Sequence, residues 1–144
     1  LPFLQRTLAG PFCLLPVMLR DQSAVVAEAV GHSLAAALQD EAALLVGSSD
    51  LSHFYPDSIA RKLDAVVLGR IEAFDPAGVL AAEDEGVGFA CGRGAVAAVM
   101  WAARDLGADD ARVLRHATSG DVTGDFNSVV GYGAAVIFRM SQPG

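Results

Sequence analysis

Asp50 and His53 stand three residues apart in Gly47-Ser48-Ser49-Asp50-Leu51-Ser52-His53, between an apolar run and a helical stretch. In a turn or at a helix start, that spacing puts both on one face. A carboxylate beside an imidazole fixes its tautomer and raises its basicity, which a general base and a metal ligand both require. In open α/β sheets, sites form at such strand ends. The same spacing suits a capped turn, with Ser49 and Asp50 satisfying backbone amides and His53 a polar neighbour. Spacing alone leaves both readings open.

Cys91 lies in Phe89-Ala90-Cys91-Gly92-Arg93-Gly94, just ahead of a second helical stretch. A helix N-terminus favours thiolate over thiol, and thiolate is the nucleophilic and metal-binding form. The glycines allow close backbone approach. Taken alone, Cys91 reads better as a small buried residue in a tight turn, because free cysteine is among the most buried residue types.

Thr118 to Asn127 carries alternating oxygen side chains. A calcium loop starting at Asp121 would place Phe126 where glycine is needed and Tyr132 where the terminal glutamate belongs. The segment therefore reads as a turn-rich connector lining a pocket. His116 reads as a strand end, His32 as a surface or boundary residue, and Cys13 as core. Glu83, Asp84 and Glu85 read as a solvated run. The sequence holds no Gly-x-Ser-x-Gly elbow, Walker loop, Gly-x-Gly-x-x-Gly, Cys-x-x-Cys or His-Glu-x-x-His. Two cysteines cannot supply a zinc ribbon.

The elements that must position these residues follow from periodicity. Leu1 to Leu8 reads as a helix end, broken by Gly10-Pro11. Cys13 to Leu19 and Ala42 to Gly47 read as buried strands. A helix over 24–39 has its stripe at Val26, Val30, Leu34, Ala37 and Leu38, with Asp21 or Ser23 as cap. A helix from Pro56 to Phe74 has its stripe at Ile59, Leu63, Val66, Val67, Ile71 and Phe74. A short helix over 77–82 and an acidic loop over 83–88 follow. The next helix, 94–106, turns Val96, Val99, Met100 and Ala103 inward. Strands are expected over 111–116 and 129–139. Strands alternating with helices predict an α/β layered fold with a central, mostly buried sheet flanked by helices.

The chain has 144 residues, 53% hydrophobic and 19% charged, with a mean hydropathy of +0.41. One domain is expected, and intrinsic disorder is excluded. The net charge of −7 and a single lysine, Lys62, speak against nucleic acid as partner. No apolar run reaches the roughly 18 residues of a membrane span without a charge or proline. Neither a membrane partner nor a secretory leader is expected. Cys13 and Cys91 make no disulfide scaffold, so a reducing cytoplasm is the expected compartment. Leu1 opens without methionine inside structured sequence, which predicts missing upstream residues or processing.

Five motifs occur in order: Leu-Pro-Phe-Leu-Gln at 1–5, Ser-Ser-Asp-Leu-Ser-His at 48–53, Cys-Gly at 91–92, Ala-Thr-Ser-Gly-Asp-Val-Thr-Gly-Asp at 117–125 and Val-Val-Gly-Tyr at 129–132. Each alone is weak, but in this order they are specific. Together they resemble the Memo-like family, also called AmmeMemoRadiSam system protein B, over nearly the whole chain.

The resemblance implies a fold similar to class III extradiol dioxygenases, which use non-haem iron. It implies that residues 1–144 form the C-terminal portion of a single Memo-like domain, with two metal-binding histidines upstream. Carried over by motif, Cys91 matches the family's cysteine metal ligand. His53 matches the dioxygenases' acid–base histidine, and Asp50 the aspartate beside it. Asp50, His53 and Cys91 then offer up to three ligands. The implied cofactor is iron or copper, with thiolate favouring softer ions such as Cu(I). Cysteine where the dioxygenases use a carboxylate departs from ordinary ring cleavage.

The resemblance leaves two functions in competition. One is a metal-dependent oxidoreductase, dioxygenase-like, in which His53 moves protons. The other is a non-catalytic module that binds a partner or peptide and works with radical SAM and AMMECR-type proteins. An unpaired apolar sheet edge would in addition drive homo-oligomer formation.

Overall fold

A computed structural model of the chain describes residues 1–140. The helices are α1 (Pro2–Thr7), α2 (Ala24–Leu38), α3 (Asp57–Glu72), α4 (Pro76–Asp84), α5 (Arg93–Asp105) and the single turn α6 (Gly120–Thr123); the strands are β1 (His53–Tyr55), β2 (Asp110–Thr118) and β3 (Val129–Phe138). The strands form one antiparallel sheet in the order β1-β3-β2. The fold is mixed α/β, a small antiparallel sheet flanked by helices, as the sequence predicts.

Helix α3 packs on β2 and β3, and α4 and α5 extend the helical layer away from the sheet to α2. Local chemistry sets the boundaries. Pro56, lacking an N–H, caps α3. Asp75 caps α4 by accepting the Gly78 N–H at 2.9 Å. The core lies between the sheet and the helices, around Leu51, Val67, Leu68, Ile71, Val79, Ala82, Ala90 and Met100. Trp101 anchors a second cluster with Ala27, Leu80 and Ala97. No helix among the described residues is long and apolar enough to cross a membrane.

Several expectations are corrected. The runs 13–19 and 42–47 are not strands. A strand needs a neighbour to pair its backbone, and β1, β2 and β3 pair only among themselves. Both runs stay largely exposed; Leu15 is 82% and Leu44 69% accessible. Cys13 is likewise exposed, not core. Burial of the sheet is uneven: Val129 and Gly131 are buried, whereas Tyr132 to Val136 are exposed.

Two helical stripes are rotated from the predicted phase. In α2 the buried positions are the small Ala27, Gly31 and Ala35, and the larger Val26, Val30, Leu34 and Leu38 flank them half-buried. Small residues let α2 approach α5 closely. In α3 Ile59 points outward and Asp64 is buried with Ala60, Val67, Leu68 and Ile71. Glu83 and Asp84 belong to the last turn of α4, where Arg93 pairs with them at 3.4 and 3.0 Å. They are not a merely solvated run.

Candidate functional site

Two loops meet beside the short edge strand. Residues 47–52 lead into β1, and residues 89–92 lead into α5. They are stitched together by backbone and side chain. The Cys91 N–H donates to the Asp50 carbonyl at 3.2 Å, and the Asp50 N–H donates to Cys91 Sγ at 3.3 Å. Ser49 Oγ accepts the Gly92 N–H at 2.8 Å. A side chain at Gly92, the α5 cap, would collide with the Ser48 carbonyl. Glycine is therefore what lets the loops touch.

This contact gathers Asp50, His53 and Cys91. Each offers one ligand atom, and the three atoms lie within 4.8 Å of one another. Cys91 and Asp50 are exposed and His53 is half-buried. The buried-cysteine reading of Cys91 is thus overturned: α5 starts at Arg93, and Cys91 stays at the surface ahead of it. His53 Nε2 lies 3.8 Å from Asp50 Oδ2, an ion-pair separation too long for a direct hydrogen bond. It is Ser49, not Asp50, whose side chain satisfies a backbone amide in this turn.

His53 is held from its sides. The Phe89 ring meets it edge-on at 5.4 Å and the Phe54 ring lies 5.7 Å away. Phe54 has φ of +65°, an uncommon conformation for an aromatic residue, at the irregularity between His53 and Tyr55 in the β1–β3 register. Bulges of this kind re-aim a side chain at a sheet edge.

The donor set suits a transition metal. Thiolate and imidazole select iron, copper or zinc over magnesium or calcium, and a carboxylate completes a mixed sulfur, nitrogen and oxygen set. Three protein ligands on an exposed surface leave positions for further donors.

Other residues fall elsewhere. His116 is not brought into the cluster; its Nε2 lies 2.7 Å from Asp64 Oδ2. His32 is a surface residue, as expected, and joins α2 to Asp105 of α5 at 2.5 Å. The 118–127 connector lines neither of the described pockets, contrary to expectation; its residues 121–127 stay exposed, and it is tied down by Arg61, whose guanidinium joins Asp57 and Asp121, each at 2.7 Å. The Arg61 hydrogen bond holds the Asp57 carboxyl below its ordinary range; the Thr118 N–H does the same for Asp121. Sequence reasoning passed over Asp57, Arg61 and Asp64. The signals were an acid and an arginine four apart, and an aspartate within an apolar helical stripe.

A family model described as Memo-like protein matches residues 1–136. A MEMO1 family protein from Nitrosopumilus maritimus is 40% identical over 134 residues, covering 93% of this chain and 49% of the relative. One from Methanothermobacter thermautotrophicus is 41% identical over 133 residues, covering 91% and 48%. A bacterial one, from Thermotoga maritima, is 35% identical over 142 residues, covering 96% and 48%. The chain spans about half the length of the curated relatives it matches. With one family model running through all but the last residues, and with the ordered motifs folded around a shared loop contact, the chain belongs to the Memo-like protein family.

Proposed function

We propose that this chain is the C-terminal portion of a Memo-like domain and binds a non-haem transition metal, iron or copper, in support of redox chemistry of the oxidoreductase or dioxygenase-like kind. The observation that carries this reading is the convergence of Asp50, His53 and Cys91 ligand atoms within 4.8 Å. Cys91 would hold the metal through its thiolate, with Asp50 and His53 as the other donors. A bound iron or copper ion supplies electron transfer and Lewis acidity. His53 Nε2, when not engaged as a ligand, is the group able to hold or pass a proton, and the Asp50 carboxylate lies 3.8 Å from it. Phe54 and Phe89 limit the directions in which that ring can turn.

The test is anaerobic titration with iron(II), copper(I) and zinc. Binding that disappears in Cys91→Ser supports the reading. Absence of binding, or binding unchanged in Cys91→Ser, overturns it.

A second reading, a partner-binding module, is favoured by one feature. An open groove of about 780 Å³ runs between residues 43–47, α5 and β3, lined by Leu44, Val46, Val96, Val99 and Ile137 among others. Such a groove suits an apolar segment of a partner, the radical SAM and AMMECR-type proteins being the class that the family resemblance implies. Pull-down that survives loss of both His53 and Cys91 would favour this second reading.

A further inference from the structure

We propose that Asp64, anchored by His116, is the positioning residue for the Asp50–His53–Cys91 cluster, acting through the backbone amide of Ser52; the role in metal binding rests on the reading just given. Asp64 sits in the apolar stripe of α3 and is 0% exposed. A buried carboxylate is costly, and an aliphatic residue would serve packing better there. What the carboxylate does instead is bridge. Oδ1 accepts the Ser52 N–H at 2.9 Å, and Oδ2 lies 2.7 Å from His116 Nε2 on β2. A carboxylate can only accept, so the imidazole donates at that nitrogen.

Ser52 is fixed from every side. It is itself fully buried. Its carbonyl accepts the Gly131 N–H at 2.8 Å, and the neighbouring Leu51 N–H donates to the Gly131 carbonyl at 2.9 Å. A side chain at Gly131 would collide with the Asp64 carboxylate, so β3 is shaped to admit it. Ser52 is therefore a pivot. His53 leaves on one side, and Asp50, two residues back, reaches Cys91 Sγ through its own N–H at 3.3 Å. Displacing Ser52 moves both arms. Neither Asp64 nor His116 is a donor of the cluster, so each acts only through this backbone.

The test is cobalt(II) titration of the whole chain in a Cys13→Ser background, read by the near-ultraviolet absorption of a thiolate bound to cobalt. Asp64→Asn keeps the volume and loses the charge. It is expected to weaken cobalt binding by about tenfold or more, the usual effect of removing a group that orients a ligand, while circular dichroism stays that of the parent. His116→Gln keeps an N–H donor and is expected to bind far more like the parent than His116→Leu does. Parent-like affinity in a folded Asp64→Asn overturns the proposal.

A parent that takes up no cobalt defeats the metal reading without touching the positioning role. That role is then read from the amide NMR signals of Asp50 and Cys91, which Asp64 does not contact. Their displacement in Asp64→Asn, and retention in His116→Gln, supports the role; unmoved signals overturn it. If Asp64→Asn does not fold, His116→Leu carries the same readouts. Loss of the fold in both overturns the proposal and assigns the pair to folding alone.

Discussion

Cys91 and Asp50 hold each other by a reciprocal pair of contacts: the Cys91 N–H on the Asp50 carbonyl, and the Asp50 N–H on Cys91 Sγ. The two residues are far apart in sequence, and each belongs to a loop that leads into a regular element. The pair therefore turns two separate loop ends into one rigid corner. Cys91 Sγ accepts that N–H at 3.3 Å, so the contact that assembles the corner also fixes where the sulfur sits.

Gly92→Ala is expected to open this corner. The added methyl group meets the Ser48 carbonyl and the Ser49 side chain, which are loop backbone and short side chain with little room to give. Overpacking of this kind costs about 1–3 kcal/mol. Urea unfolding should show that loss. Metal affinity should fall along with it, because Ser49 would release the Gly92 amide. Unchanged stability and unchanged affinity together would show that the corner has slack.

His32 predicts a pH dependence near neutrality. Its hydrogen bond to Asp105, across α2 and α5, raises its affinity for a proton above the ordinary value of about 6.5. A raised folded value stabilises the protein fully below the unfolded value, and that contribution is lost as pH rises through the folded one. The thermal midpoint should therefore decline from about pH 6.5 upward. His32→Asn should flatten that decline. The ring is half-exposed, so the effect will be modest and reduced by salt. A profile with the same slope in parent and variant would remove His32 as its cause.

Met100 carries the core between the sheet and the helices. It is fully buried and is among the largest such side chains. Met100→Ala should cost about 2–5 kcal/mol in urea unfolding. A loss well under 1 kcal/mol would mean that the neighbouring helices close the cavity.

The candidate-site motifs stand out in the sequence because each lies at a boundary where the chain changes from one element to the next. Asp50, His53 and Cys91 were named from spacing, helix position and family resemblance, and the fold brings their ligand atoms together. The four longer helices and both long strands were also legible, from periodicity. The runs 13–19 and 42–47 were not. An apolar run says that burial is wanted, not that a pairing strand is available. The phase of α3 was missed for a related reason. Hydropathy places Ile59 inside and Asp64 outside, whereas the pairing of Asp64 with Ser52 and His116 rotates the helix the other way. Such a bridge depends on residues distant in sequence, which local periodicity does not carry.

The Asp57–Arg61–Asp121 network predicts an acid transition that one substitution should shift. Every oxygen of the two carboxylates has a donor. Asp57 accepts from Arg61 at 2.7 Å and from the Thr118 hydroxyl at 2.6 Å, and Asp121 accepts from Arg61 and from the Thr118 N–H at 2.7 Å each. Both carboxyls are held below their ordinary range as a result. A depressed folded value stabilises the protein above the unfolded value of about 3.9, and that contribution is lost as pH falls through the folded one. The urea midpoint of the parent should hold down to about pH 4 and then decline. Arg61→Met removes the cation that both acids share and leaves them facing each other. The variant should be the less stable protein at pH 7, and the gap should narrow as both carboxylates are protonated below about pH 4. Thr118→Val, which removes the hydroxyl and keeps the amide, should weaken Asp57 and spare Asp121. A constant gap between parent and Arg61→Met from neutral to strongly acidic pH would show that Arg61 contributes packing, and that the charges of Asp57 and Asp121 do not enter the stability of this corner.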